Sequence, residues 1–138
     1  EKMFAEQMKL IEEELTPSKI RYIEPTEGLI VHTNHSVHND LVINNIDFKD
    51  KIYGQSFDRK IRSEDVLSNI NNLSLENIKS VLSDHVGFPT SICRHENRDK
   101  LTGWQKSVIS LIMLPESGQL HISAGNPCEK EYEVYFLN

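Results

Sequence analysis

The chain is short of cysteine, of positive charge, of long apolar runs and of aromatic residues, and each shortage removes a class of function. Two cysteines in 138 residues are too few for the disulfide framework of a small secreted scaffold; they predict reduced thiols in a cytoplasmic setting. A formal net charge of -6 excludes the basic face that holds nucleic acid or an anionic membrane. No apolar run approaches the roughly 20 residues that span a bilayer. The single Trp and the four Tyr are scattered and form no stacking platform for bases. Internal repeats, low-complexity tails and paired HExxH or CxxC motifs are also missing, so no metal or cofactor is expected.

What remains is one domain's length of ordinary globular composition, 38% apolar and 26% charged, enough to bury a sizeable core. Residues 2–15, KMFAEQMKLIEEEL, place Phe4, Met8, Ile11 and Leu15 on one helical stripe, and Pro17 ends it. The alternation in KIRYIE (19–24) predicts a strand, Glu27-Gly28 a turn, and LIVHT (29–33) a second strand pairing with the first. Residues 34–54 read as a long Asn- and Asp-rich loop, which in a compact domain is usually functional or mobile. SEDVLSNI (63–70) and SLENIKSVLSDH (74–85) each open with a serine suited to N-capping and predict two short helices. QKSVISLIML (105–114), QLHISAG (119–125) and EYEVYFL (131–137) predict three strands, the first two joined by a turn at Pro115–Gly118. Strands and helices in this order give an α+β class with an antiparallel sheet.

The densest chemistry lies in GLIVHTNHSVH (28–38). Its histidines, His32, His35 and His38, stand three apart, which on a helix would gather them for zinc, but the context is strand and loop. Asn34 suits a different role, since a carboxamide held at a strand end donates to a developing oxyanion, with Thr33 and His35 pinning its rotamer. In SFDRKIR (56–62), Ser56, Arg59 and Arg62 precede a helical stretch; in TSICRHE (90–96), Cys93, Arg94 and His95 are adjacent. A cation beside a thiol lowers its pKa, but neighbours on an extended segment face opposite ways, so Arg94 is the better candidate for a pocket. Cys128 follows the turn Gly125-Asn126-Pro127 and reads as packing or surface.

GLIVHTNHS, SFDRKIR, LENIKSVLSDH with SICRH, TGWQKSVISLIMLPESGQLHISAGNPC and the closing EYEVYFL resemble, in order, the C-terminal part of the acyl-coenzyme A:6-aminopenicillanic acid acyltransferase family. This is also the isopenicillin N acyltransferase family, peptidase group C45 of the N-terminal-nucleophile hydrolases. The resemblance runs from Lys19 to the end. It implies a four-layer αββα sandwich with antiparallel sheets, of which residues 1–138 are a single C-terminal portion. It implies a precursor that cleaves itself to expose a cysteine whose thiol is the nucleophile and whose α-amine is the base. Asn34 then corresponds to the oxyanion-hole donor and Arg94 to an arginine near the nucleophile; His32, His35, Ser56 and Arg59 become substrate-binding or supporting residues.

Two departures stand out. Ser36 replaces the bulky aromatic usual after T-N-H, and Glu1 is no cysteine. The expected partner is therefore an N-terminal half carrying the nucleophile, or a homodimer mate, and the expected substrate is a small acylated amine or acyl thioester. The alternatives are a non-catalytic fragment of the same fold that binds a ligand or partner, and a small zinc protein built on His32, His35 and His38.

Overall fold

The computed structural model describes residues 12–42 and 54–137. Two antiparallel sheets and two helices follow one another: β1 (Glu12–Thr16), β2 (Lys19–Ile23), α1 (Gln55–Ser68), α2 (Leu75–Leu82), β3 (Ile109–Leu114), β4 (Gln119–Ala124) and β5 (Glu133–Phe136). The class is α+β with antiparallel sheets throughout, β1-β2 in one and β3-β4-β5 in the other.

The N-terminal half departs most from the sequence expectation. Of the helix predicted over 2–15, residues 1–11 lie outside the described residues, and residues 12–16 form β1 instead. Strand pairing wins because Pro17-Ser18 makes a two-residue loop that sets β1 against β2, with Glu14 opposite Arg21. The Thr16 hydroxyl accepts from Lys19 N at 3.0 Å and closes the loop. Leu15, assigned to the helical stripe, stays 66% exposed. The predicted strand 29–33 does not form either. The Glu27-Gly28 turn is present, both residues with positive φ, but it closes only one bridge, Thr26 to Leu29. Residues 30–33 continue without a strand partner among the described residues and carry the histidine-rich segment.

The C-terminal half follows the prediction closely. Ser74 caps α2, its hydroxyl accepting from Asn77 N at 3.2 Å. Helix α1, however, begins at Gln55, so Ser63 lies inside it. No sequence signal marks that start, because the cap residue, Gly54, offers no side-chain acceptor. Arg62 forks onto Asp84, Nη2 to Oδ2 at 2.7 Å and Nε to Oδ1 at 3.2 Å, fastening α1 to the residues that follow α2. The β3-β4 hairpin turns through the 3-10 segment Pro115–Ser117 and the left-handed Gly118.

One face of the three-stranded sheet is covered and the other is not. Ser110, Ile112, His121 and Ser123 are buried, whereas Ile109, Leu111 and Met113 on the opposite face of β3 are 46 to 68% exposed. The buried apolar side chains among the described residues are Leu41, Val81, Cys93 and Ile112.

Between α2 and β3 the chain folds on itself. The Asp99 carboxylate accepts from Leu101 N, Thr102 N and the Thr102 hydroxyl, while Gly103 N bonds to Asp99 O and Gly103 O receives Asn97 N. A β-carbon on Gly103 would meet the backbone oxygens of Asn97 and Asp99, neither of which has a flexible side chain's room to yield. Gly103→Ala is expected to destabilise the protein by roughly 1–3 kcal/mol, read as a shift in the urea midpoint at unchanged slope.

Candidate functional site

The segment 32–38 has no strand partner, so side chains must satisfy its backbone. Two anchors do so. From β1, Glu14 accepts from Val37 N, from His38 N at 2.9 Å and from His32 Nε2 at 2.7 Å. Burial pushes the Glu14 carboxyl up, but the hydrogen bonds from Val37, His32 and His38 outweigh it and hold the pKa below its usual 4.5. From the first turn of α1, the buried Ser56 hydroxyl accepts from Asn34 N at 2.8 Å and His35 N at 3.1 Å. Thr33 adds its own hydroxyl to Ser56 O at 2.9 Å.

Ser56 also reaches the His35 ring. A hydroxyl has two lone pairs and one proton, and the two backbone N–H groups occupy the lone pairs. The hydroxyl proton then faces two neighbours, Thr33 Oγ1 at 3.0 Å and His35 Nδ1 at 2.8 Å, and Thr33 Oγ1 itself lies 3.2 Å from His35 Nδ1. The His35 ring is stacked on Phe57 at 3.8 Å. Burial first, then the charges of His32 and Lys60, lower its pKa from the usual 6.5. A lowered folded value means the unfolded chain takes up more protons as the pH falls, so stability present above about pH 6.5 is lost below it. The thermal midpoint is expected to fall between about pH 7 and pH 5, and to fall less in His35→Gln; identical pH slopes would show that His35 does not titrate on unfolding.

Held this way, Asn34 projects toward a cleft of about 510 Å³ lined by Asn34, Arg59, Arg94, Gln105, Trp104 and Val108, among others. Arg59 Nη2 donates to Asn34 Oδ1 at 2.6 Å. A guanidinium only donates, so the carboxamide oxygen faces Arg59 and the NH2 is turned away from it, available as a donor. Arg94 Nη2 donates to the side-chain oxygens of Gln55 and Gln105, and Asn126 Nδ2 holds the Arg94 carbonyl at 2.6 Å. Burial lowers the pKa of both arginines, and the charge of Arg59 adds to the effect on Arg94. Among the described residues neither guanidinium has a carboxylate partner, and Arg94 Nε is buried without a hydrogen bond. Two cations facing one cleft, with neutral acceptors as their partners among the described residues, make it a place for an anion.

The structure thus brings Asn34, Arg59 and Arg94 to one cleft, with Ser56 and His35 directly behind Asn34. His32 is not in that cleft; it lies on the Glu14 side. Sequence inspection misses Glu14, which reads as the solvated face of a helix, and misses Gln55, Gln105 and Asn126, for which no local pattern speaks. Ser56 lies in the first turn of α1 and not ahead of the helix. The zinc alternative on His32, His35 and His38 fails because the three rings serve Glu14, Ser56 and the backbone N of Asp40 separately. Cys93 is no nucleophile for the cleft: its sulfur faces Cys128 Sγ at 3.6 Å. Burial, then Cys93 itself, pushes the Cys128 thiol up to about 11, the reverse of activation. No helix among the described residues is long and apolar enough to cross a membrane.

No curated protein matches the chain closely enough to count as a relative. The family model for acyl-coenzyme A:6-aminopenicillanic acid acyl-transferase matches residues 4–129, taking in both anchors, the cleft and β3-β4. The chain belongs to that family.

Proposed function

We propose that the chain is the C-terminal portion of a cysteine N-terminal-nucleophile amide hydrolase or acyltransferase. The observation that carries this is Asn34, backbone pinned by Ser56 and carboxamide oxygen taken by Arg59, on the wall of a cationic cleft. In the reaction a thiolate adds to an amide or thioester carbonyl, and the Asn34 NH2 donates to the oxygen as it becomes negative. Collapse of that intermediate expels the amine or thiol and leaves an acyl thioester, which water or a second amine resolves. Neither cysteine of the chain lines the cleft, so the nucleophile comes from outside these 138 residues. Its α-amine is the base that takes the thiol proton.

Arg59 and Arg94 favour a substrate bearing a carboxylate, with Trp104 and Val108 against its apolar part. The family's name supplies a candidate of that type, an amine-bearing acid. The uncovered face of β3, with Ile109, Leu111 and Met113, is where a second sheet of the αββα sandwich stacks, contributed by the half that carries the nucleophile. Apolar strands left open to water would otherwise associate with copies of themselves.

Intact mass and N-terminal sequencing of the protein from its complete reading frame test this, followed by incubation with a reactive thioester. Two fragments, the larger opening with Cys and gaining one acyl group, are expected. A single unprocessed chain that traps no acyl group would move the function to ligand binding on the same fold.

A further inference from the structure

Away from the cleft, four side chains from three separate segments converge. His85 follows α2, Cys93 and His95 precede the 97–103 loop, and Cys128 follows β4; one ligand atom from each lies within 4.8 Å of every other. We propose that His85, Cys93, His95 and Cys128 form a structural zinc site.

The distances suit a single ion. With Zn–S of about 2.3 Å and Zn–N of about 2.0–2.1 Å, a tetrahedron has edges of about 3.8 Å between sulfurs, 3.5 Å between sulfur and nitrogen and 3.3 Å between nitrogens. The structure has Cys93 Sγ to Cys128 Sγ at 3.6 Å, His95 Nε2 to Cys128 Sγ at 3.2 Å and to Cys93 Sγ at 3.8 Å, and His85 Nε2 to His95 Nε2 at 3.0 Å. Hydrogen bonding alone does not explain this packing. His95 Nε2 faces another imidazole nitrogen and two sulfurs at once, and a single ring proton serves only one of the three. A divalent cation serves all four atoms together. A disulfide does not fit either, since 3.6 Å is far beyond an S–S bond of about 2.05 Å.

The surroundings are those of a metal ligand shell. The other nitrogen of His95, Nδ1, lies 3.4 Å from Glu129 Oε1, the carboxylate–histidine pairing that orients metal-bound imidazoles. Asn126 Nδ2 points at Cys93 Sγ from 3.6 Å. Two thiolates and two imidazoles select zinc over hard cations such as magnesium or calcium. Four protein ligands leave no open position, so the role is structural. What it would fix is evident from the chain: Arg94 lies between two ligands, and Asn126, two residues before the fourth, holds its carbonyl. The ion would clamp the Arg94 segment to the turn after β4. The spacing, His85, Cys93, His95 and then Cys128, contains no paired CxxC or HxxxH, which is why the sequence suggests no metal.

The test is metal analysis of the protein expressed from its complete reading frame, purified without a metal-binding tag from zinc-containing medium, with circular dichroism recorded alongside. About one zinc per chain is expected, with both thiols protected from a thiol reagent until a chelator is added. Cobalt substitution should give ligand-field bands of tetrahedral intensity and a thiolate-to-cobalt charge-transfer band. Cys128→Ser should lose the zinc, and His121→Asn, outside the cluster, should keep it. If Cys128→Ser does not fold, His85→Asn decides, because His85 is exposed; it should give up its zinc to a chelator at least about tenfold more readily. Folded protein with less than about 0.1 zinc per chain, stoichiometric copper or iron instead, a Cys93–Cys128 disulfide, or zinc retained in both variants would each overturn the proposal. None of these outcomes depends on acyltransfer, so this proposal and the proposed function stand or fall separately.

Discussion

Asn34→Ala in the complete, processed protein is expected to lower kcat roughly 10²–10³-fold, about 3–4 kcal/mol of transition-state stabilisation, with little change in KM. The split follows from what the side chain can touch. Its oxygen is occupied by Arg59 at 2.6 Å, so only the NH2 faces the substrate, and a donor of that kind gains most when the carbonyl oxygen acquires full negative charge. On the proposed reading, ground-state binding would fall instead to Arg59, Arg94 and the apolar wall. Arg94→Gln should accordingly raise KM for a carboxylate-bearing substrate more than for its neutral amide. Steady-state kinetics on both substrates checks the pair. If Asn34→Ala leaves kcat unchanged while acyl-enzyme still forms, the oxyanion is held elsewhere and the cleft is only a binding site.

Much of this is legible in the sequence. The β3-β4 turn, the antiparallel sheet, the capped α2 and the family resemblance all rest on signals carried within a few residues: Pro115 to Gly118, alternation, and Ser74. Asn34, Arg59 and Arg94 are also visible as candidates, because their motifs are local. What stays hidden depends on partners far along the chain. Residues 2–15 read as one helical stripe, and only pairing with Lys19–Ile23 makes Glu12–Thr16 a strand. Residues 29–33 look like a strand by composition but have no neighbour to bond with among the described residues, and Glu14 and Ser56 take over the backbone of the segment that follows. The Cys93–Cys128 approach spans two turns separated by the whole β3-β4 hairpin. No spacing rule reveals such a meeting; topology alone produces it.

Ser56→Ala carries the second large effect, and it separates structure from catalysis. Removing the hydroxyl takes away the acceptor that Ser56 offers to Asn34 N and His35 N, and its contact with His35 Nδ1, at a residue that is 1% exposed. Each buried donor left unmade costs roughly 1–3 kcal/mol, so a loss of about 2–4 kcal/mol in unfolding free energy is expected, less if water enters the gap. Activity should fall as well, because the backbone that aims Asn34 is no longer tied to α1. The two losses have different dependence on Asn34. In an Asn34→Ala background, Ser56→Ala should cost stability as before but lower kcat little further, since a positioning residue has nothing left to position. Chemical unfolding and kinetics on the four proteins of that cycle give both numbers. Additive losses in kcat would instead mean that Ser56 acts on the reaction through something other than Asn34, and His35, held by the same hydroxyl, would be the residue to examine next.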